Sequence, residues 1–317
     1  MDDQAPAPSE TKAVAAALVT VGLWASAFVG IRAAAVDFSP GSIALARLIV
    51  GVLALGVFAL TRPWVRPSGR DLAFIAAAGV AWFAGYNVVL NAAERLVDAG
   101  TAAMLVAVGP IFIALFAGLF LGAGFPRRLL AGCAVAFAGA VVIGVATSAD
   151  ASASSSTPLG VALCLVAALL YASGVTLQKP VLRNVSALQV TWLACLVGAI
   201  ACLPFAPGLI DEARVAEPVN LAWVVFLGIF PTSIGFTTWA YALARMSAGR
   251  AGAMTYLIPP TAILISWVLL AETPPVIALV GGLLCVGGVV MARTSGIRVP
   301  SVLRRSSTEA GRARTGW

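Results

Sequence analysis

The chain contains no histidine. That absence removes imidazole metal sites and every catalytic triad built on a histidine base. Charge is scarce as well, at 10% of residues, where a soluble domain carries about 25%. A water-facing surface cannot be built from so few charges, so most of the exterior must meet lipid. The five cysteines (Cys133, Cys164, Cys195, Cys202 and Cys285) all fall inside apolar runs, and no C-x-x-C pair exists. They read as small buried hydrophobes, not as a disulfide framework or metal site. No Asp or Glu sits at the centre of an apolar run, which excludes a carboxylate relay through the middle of a membrane.

What remains is 61% hydrophobic with a net charge of +7. Nucleic acid is one taker for a basic chain. A cytoplasmic-side charge bias on a membrane protein fits this composition better, and no nucleic-acid partner is expected. A window of about 20 apolar residues finds spans near 13–35, 40–61, 71–91, 99–122, 128–147, 159–179, 188–207, 219–241, 250–271 and 275–293. Ala25-Ser26-Ala27 resembles a signal-peptide cleavage site. The acidic start (Asp2, Asp3, Glu10) and the return of the same pattern in mid-chain argue for a retained first helix.

Loop charge checks the count. With the N-terminus in the cytoplasm and ten crossings, 16 of the 20 Lys and Arg fall on the cytoplasmic side. Only Arg32, Arg95 and Arg214 fall outside, and Arg47 lies within a span. Both termini are therefore expected in the cytoplasm. The small, Ser-rich connection 148–158 divides the chain, and the Arg- and Ser-rich tail 294–317 has no apolar periodicity, which predicts disorder.

The chain also repeats itself. "LWASAFVGIR" at 23–32 returns as "LYASGVTLQK" at 170–179, an offset of 147. Later the offset is 149: "AGTAAMLVAVGP" at 99–110 overlays "AGRAGAMTYLIP" at 248–259, and Gly132 and Gly139 match Gly281 and Gly288. The two extra residues are assigned to a longer loop at 208–218. Five spans per copy is an odd number, so the second copy enters the membrane from the opposite side. The expected fold is an all-α integral membrane protein, ten transmembrane helices as two inverted five-helix repeats, with units at 13–147 and 159–293 followed by the tail 294–317. Such repeats recur in secondary transporters, with the substrate site between the halves.

Several features in this order resemble the EamA-like proteins of the drug/metabolite transporter superfamily. They are Trp24, Ala25, Ser26, Phe28 and Arg32 at the end of span one, Arg47 in span two, and the A-G…P pattern of the fourth and ninth spans. Glycine-marked fifth spans and "LLAETP" at 269–274 complete the set. The resemblance covers about residues 13–293. It implies a ten-span inner-membrane carrier for small organic metabolites, amino acids or similar amphiphilic solutes, working outward and without a cofactor. One departure is that Glu272 ends the fourth span of the second unit, whereas the first unit has Ala123 there.

The candidate substrate residues are Trp24, Arg47, Tyr86, Asn87, Asn91, Tyr171, Trp239 and Tyr256, with interhelical hydrogen bonding as the other reading of the two amides. Pro110 and Pro259 are candidate hinges, each removing a backbone donor in mid-span. Glu272 is a candidate gate or coupling acid, while Glu94 and Asp98 are expected to be solvated or helix-end groups. Arg47 reads two ways, as a partner for a substrate carboxylate or Glu272, or as a packing and snorkelling anchor at the outer interface. Trp24 and Tyr171 read as gates or as interface-belt aromatics. Gly118 and Gly122 form a GxxxG, and such glycines allow close packing within one chain or in a homodimer. The rival classes are a multispan receptor or structural protein and a lipid-modifying enzyme. The enzyme would need clustered acids, histidines or metal ligands, and none are visible, so the chain is not expected to be an enzyme.

Overall fold

The computed structural model describes residues 8–59, 61–120, 127–149, 157–245, 254–271 and 276–293. Glu272, Gly122, most of the 148–158 connection and the tail lie outside the described residues. Helices account for every regular element among those described: α1 (Pro8–Ala34), α2 (Pro40–Ala59), α3 (Gly69–Ala78), α4 (Asn87–Ala93), α5 (Ala99–Val106), α6 (Gly109–Phe120) and α7 (Arg127–Ala149). The second half holds α8 (Pro158–Val181), α9 (Ala187–Ala201), α10 (Ala206–Val215), α11 (Pro218–Leu227), α12 (Phe236–Arg245), α13 (Ile258–Leu270) and α14 (Val276–Arg293). Five described helical stretches are long and apolar enough to cross a membrane, and α9 with α10 forms a sixth if taken as one bent span. Four shorter apolar helices occupy the places of the remaining expected spans.

The helix starts are local and legible. Ser68 and Asp71 close a reciprocal capping box at α3. Asp98 accepts from Thr101 N at 2.8 Å, Thr157 from Gly160 N at 3.2 Å and Ser186 from Gln189 N at 3.3 Å, which starts α5, α8 and α9. Leu53, Val57, Phe58, Val141 and Leu283 point outward, as a lipid-facing surface requires.

Two features depart from the expected spans. Residues 208–218 are not a loop. The seventh span stops at Ala201, and the chain bends by 50° into α10. Pro204 and Pro207 cannot continue the hydrogen-bond ladder, and Asp211, Glu212 and Arg214 keep α10 out of hydrocarbon. The third and eighth spans each contain a π-helical stretch, Gly79–Tyr86 and Gly228–Gly235. These two stretches stand 149 residues apart, at the offset of the sequence repeat.

The same offsets relate contacts in space. A Cβ at Gly79 would lie 2.7 Å from the Ala194 carbonyl oxygen, and one at Gly228 would lie 2.8 Å from that of Arg47, the repeat counterpart of Ala194. Gly51 abuts Thr232 and Gly198 abuts Phe83, again as counterparts. Cys195 Sγ reaches the carbonyl of Leu48, its own counterpart 147 residues earlier, at 3.5 Å. α1 packs among α11, α12 and α13 of the second half, while α8 packs among α3, α4 and α6 of the first. The glycines at 139, 281 and 288 serve contact between α7 and α14 of one chain. That contact accounts for them without a second protomer.

Polar clasps tie the loops across the halves. Asp37 Oδ2 accepts from Glu217 N and from Asn220 Nδ2, both at 2.8 Å, and Ser39 N donates to Glu212 Oε2 at 3.0 Å. At the other end of α2 and α9, the Gln189 side chain brackets the backbone of Val65.

Candidate functional site

A cavity lies where the two halves meet, with about 640 Å³ of atom-free space including its open mouth. The first half supplies Trp24, Phe28 and Ile31 from α1, Arg47 from α2, and Trp82, Tyr86 and Leu90 around the first π stretch. Val106, Ala107 and Pro110 come from the break between α5 and α6. The second half supplies Tyr171, Phe236, Thr255 and Ile258.

Aromatic rings make one wall. Trp82 packs on Phe236 with ring centroids 4.9 Å apart and on Tyr171 at 5.4 Å. Trp24 lies 5.2 Å from both Phe236 and Trp239, and its Nε1 donates to the Pro231 carbonyl at 3.3 Å. Tyr171 is only 7% exposed. Trp24 and Tyr171 are therefore cavity residues and not part of a lipid-interface belt.

Arg47 is the lining cation. It is 3% exposed, so it does not snorkel at the outer interface. Its Nε donates to Thr232 Oγ1 at 3.1 Å, and the Glu94 carboxylate acts on it electrostatically. Among the described residues, its two terminal nitrogens have no hydrogen-bond partner. An arginine fork in that condition is equipped for a planar anion.

The local backbone explains Thr232. The Thr232 hydroxyl folds back to donate to the Leu227 carbonyl, five residues earlier, at 2.8 Å. Ser233 makes the matching bond to the Gly228 carbonyl at 2.9 Å.

The remaining sequence candidates lie elsewhere. Asn87 is buried and donates to the carbonyls of Phe83 (2.7 Å) and Trp82 (3.4 Å), so its amide serves the π stretch. Asn91 ties α4 to α2 through the Pro40 carbonyl at 3.0 Å. Trp239 backs the wall behind Trp24, and Tyr256 packs into the core while Thr255 and Ile258 face the cavity. Glu94 is 0% exposed and caps the C-terminus of α4. Of its two expected places the helix end holds and the solvated one does not, while Asp98 is the helix cap described above. Pro110 sits in the first turn of α6, after α5 has ended at Val106. Pro259 sits in the first turn of α13, after a short 3-10 turn at Thr255–Leu257. Both spans are thus interrupted at the matched prolines. Residues missed from sequence are Trp82, Phe236, Thr255 and Thr232. Among the described residues no cluster of His, Cys, Asp or Glu could hold a metal ion.

Comparison with known proteins adds context. The model of the EamA-like transporter family matches residues 11–145 and again 158–294. A protein of Streptantibioticus cattleyicolor named "probable terminal-alkyne amino-acid exporter" is 38% identical over 290 residues, covering 91% of this chain and 96% of that protein. The transporter YdfC of Bacillus subtilis is 33% identical over 269 residues, covering 85% of this chain and 87% of its own. A protein crystal structure at 20% identity superposes with a TM-score of 0.60 over 92% of this chain and 99% of that one, a likeness of fold.

Proposed function

The chain belongs to the EamA-like transporter family, and from that premise we propose that it exports amphiphilic amino acids across the cell membrane by alternating access. The relatives described above are named as transporters, not as enzymes. The observation that carries the substrate reading is the Arg47 fork, presented to a cavity whose other walls are aromatic and aliphatic. A carboxylate docks on the terminal nitrogens of Arg47. The apolar side chain of the amino acid lies against Trp82 and Tyr171, and ring faces nearby attract its ammonium group. A multiply charged solute has no second partner among the described lining residues.

Both halves contribute walls, so tilting one against the other exposes the cavity to alternate sides. The interruptions before Pro110 and Pro259 supply the flexure, and both line or flank the cavity. The bias of Lys and Arg supports cytoplasmic termini. The exporter named among the relatives supports the outward direction.

Counterflow in proteoliposomes tests the reading with L-propargylglycine, a terminal-alkyne amino acid, and its saturated analogue L-norvaline. Saturable flux of at least one is expected, with a loss of about tenfold or more in Arg47→Ala from removing a charge-assisted contact. Non-saturable flux for both, or an Arg47→Ala protein that transports like wild type, would refute it.

A further inference from the structure

Arg47 and Thr232 break the pseudo-symmetry of the fold together. Arg47 has Ala194 as its counterpart, and Thr232 has Phe83. The position that joins the two polar residues across the halves is matched, on the other side, by an alanine and a phenylalanine. A polar side chain buried in only one of two equivalent places answers a local need, because the scaffold itself tolerates apolar residues there.

The hydrogen-bond directions identify that need. A threonine hydroxyl has one proton, and Thr232 gives it to the Leu227 carbonyl at 2.8 Å. Toward Arg47 it can only accept, which it does from Nε at 3.1 Å. Occupying Nε leaves the end of the guanidinium as its free edge, with the two terminal nitrogens side by side. That edge matches the two oxygens of a carboxylate. Thr232 is 1% exposed and does not line the cavity, so it acts through Arg47.

We propose that Thr232, held by the second π stretch, is the positioning residue that aims the Arg47 fork at the substrate carboxylate. The proposal rests on the reading of Arg47 given above. It also makes the second π stretch part of the binding site, because the hydroxyl is oriented by the Leu227 carbonyl five residues earlier.

The test is L-norvaline binding to the purified full chain, followed by quenching of the cavity tryptophans. Thr232→Val should weaken binding about tenfold, as for a lost bond to a charged group, and Thr232→Ser should return to within about twofold of wild type. In an Arg47→Lys background, which lacks the Nε that Thr232 holds, Thr232→Val should change binding by less than about twofold. Thr232→Ala serves if the valine protein does not fold. An equal loss in both backgrounds, or no rescue by serine, would make Thr232 a packing residue and overturn the proposal. A silent Thr232→Val beside a damaging Arg47→Lys would overturn it while leaving the carboxylate site standing. Arg47→Lys and Arg47→Ala proteins that both bind normally would overturn the two together.

Discussion

The thiol of Cys285 donates to the carbonyl of Ala136 at 3.2 Å, and Ala136 is its own repeat counterpart, 149 residues earlier. A residue can touch its counterpart only on the axis that relates the copies. The pair Cys195 and Leu48 meets the same condition at offset 147. The axis thus runs through two helix pairs, α2 with α9 and α7 with α14.

Paired substitutions on that axis should therefore cost alike. A Cβ at Gly139 would lie 2.5 Å from the Gly281 carbonyl oxygen, and one at Gly288 would lie 2.5 Å from that of Gly132. Gly139→Ala and Gly288→Ala should each destabilise by about 1–3 kcal/mol. Thermal unfolding in detergent reads this out. Gly22→Ala, where nothing lies within 4 Å, should be neutral or slightly stabilising.

The cavity rings can be displaced from behind. A methyl at Gly174 meets Trp82 Cβ at 2.3 Å, and one at Gly109 meets Tyr171 Cδ1 at 2.5 Å. Gly174→Ala and Gly109→Ala should each reduce flux about tenfold, the scale of an ångström-sized misplacement or less. Membrane insertion should persist. Wild-type flux from both would show that the aromatic wall does not bear on the solute.

Asn87 should behave as a structural residue. Its amide satisfies carbonyls of the first π stretch, so Asn87→Ala should cost about 1–3 kcal/mol in unfolding and leave KM unchanged. A shift in KM for one amino acid over another would instead return Asn87 to the substrate site.

The clasp at Asp37 has a defined pH window. The hydrogen bonds from Asn220 first and from the Glu217 backbone second hold its carboxyl below the ordinary value of 3.8. A depressed folded value means that the stabilisation is present above 3.8 and is lost as pH falls through the lower, folded value. The clasp should thus be insensitive to pH between about 5 and 8. Hydrogen exchange across residues 212–220 should be flat over that range once corrected for intrinsic rates. Asp37→Ala should raise it at pH 7.

Much of this molecule was legible from residue order alone. Apolar length marked the spans, the 147 and 149 offsets marked the repeat, and Trp24, Arg47, Tyr86, Tyr171 and Pro110, picked out by type and place, line the cavity. The misses have physical causes. Residues 208–218 looked like loop because charged residues followed a span, yet the amphipathic α10, which runs to Val215, uses the same composition. Glu94 read as a solvated or helix-end group because it ends a span; it does end α4, but helix packing covers it completely. Asn87 read as a ligand group or an interhelical amide because a buried amide needs a partner, and it finds that partner in its own span. Thr232 was overlooked because a lone threonine in an apolar span is ordinary. Only comparison with Phe83, its counterpart, sets it apart.

Those π stretches carry a further consequence for anyone reading related sequences. Within each of them the chain winds more slowly than an α-helix, so the angular position of later residues drifts from a uniform wheel. A wheel drawn through 69–93 as one helix will assign the residues after Tyr86 to the wrong side, and gapless alignment will not reveal it. Cavity-facing positions in this chain have to be counted back from Gly79 and Gly228 and, separately, forward from Tyr86 and Gly235.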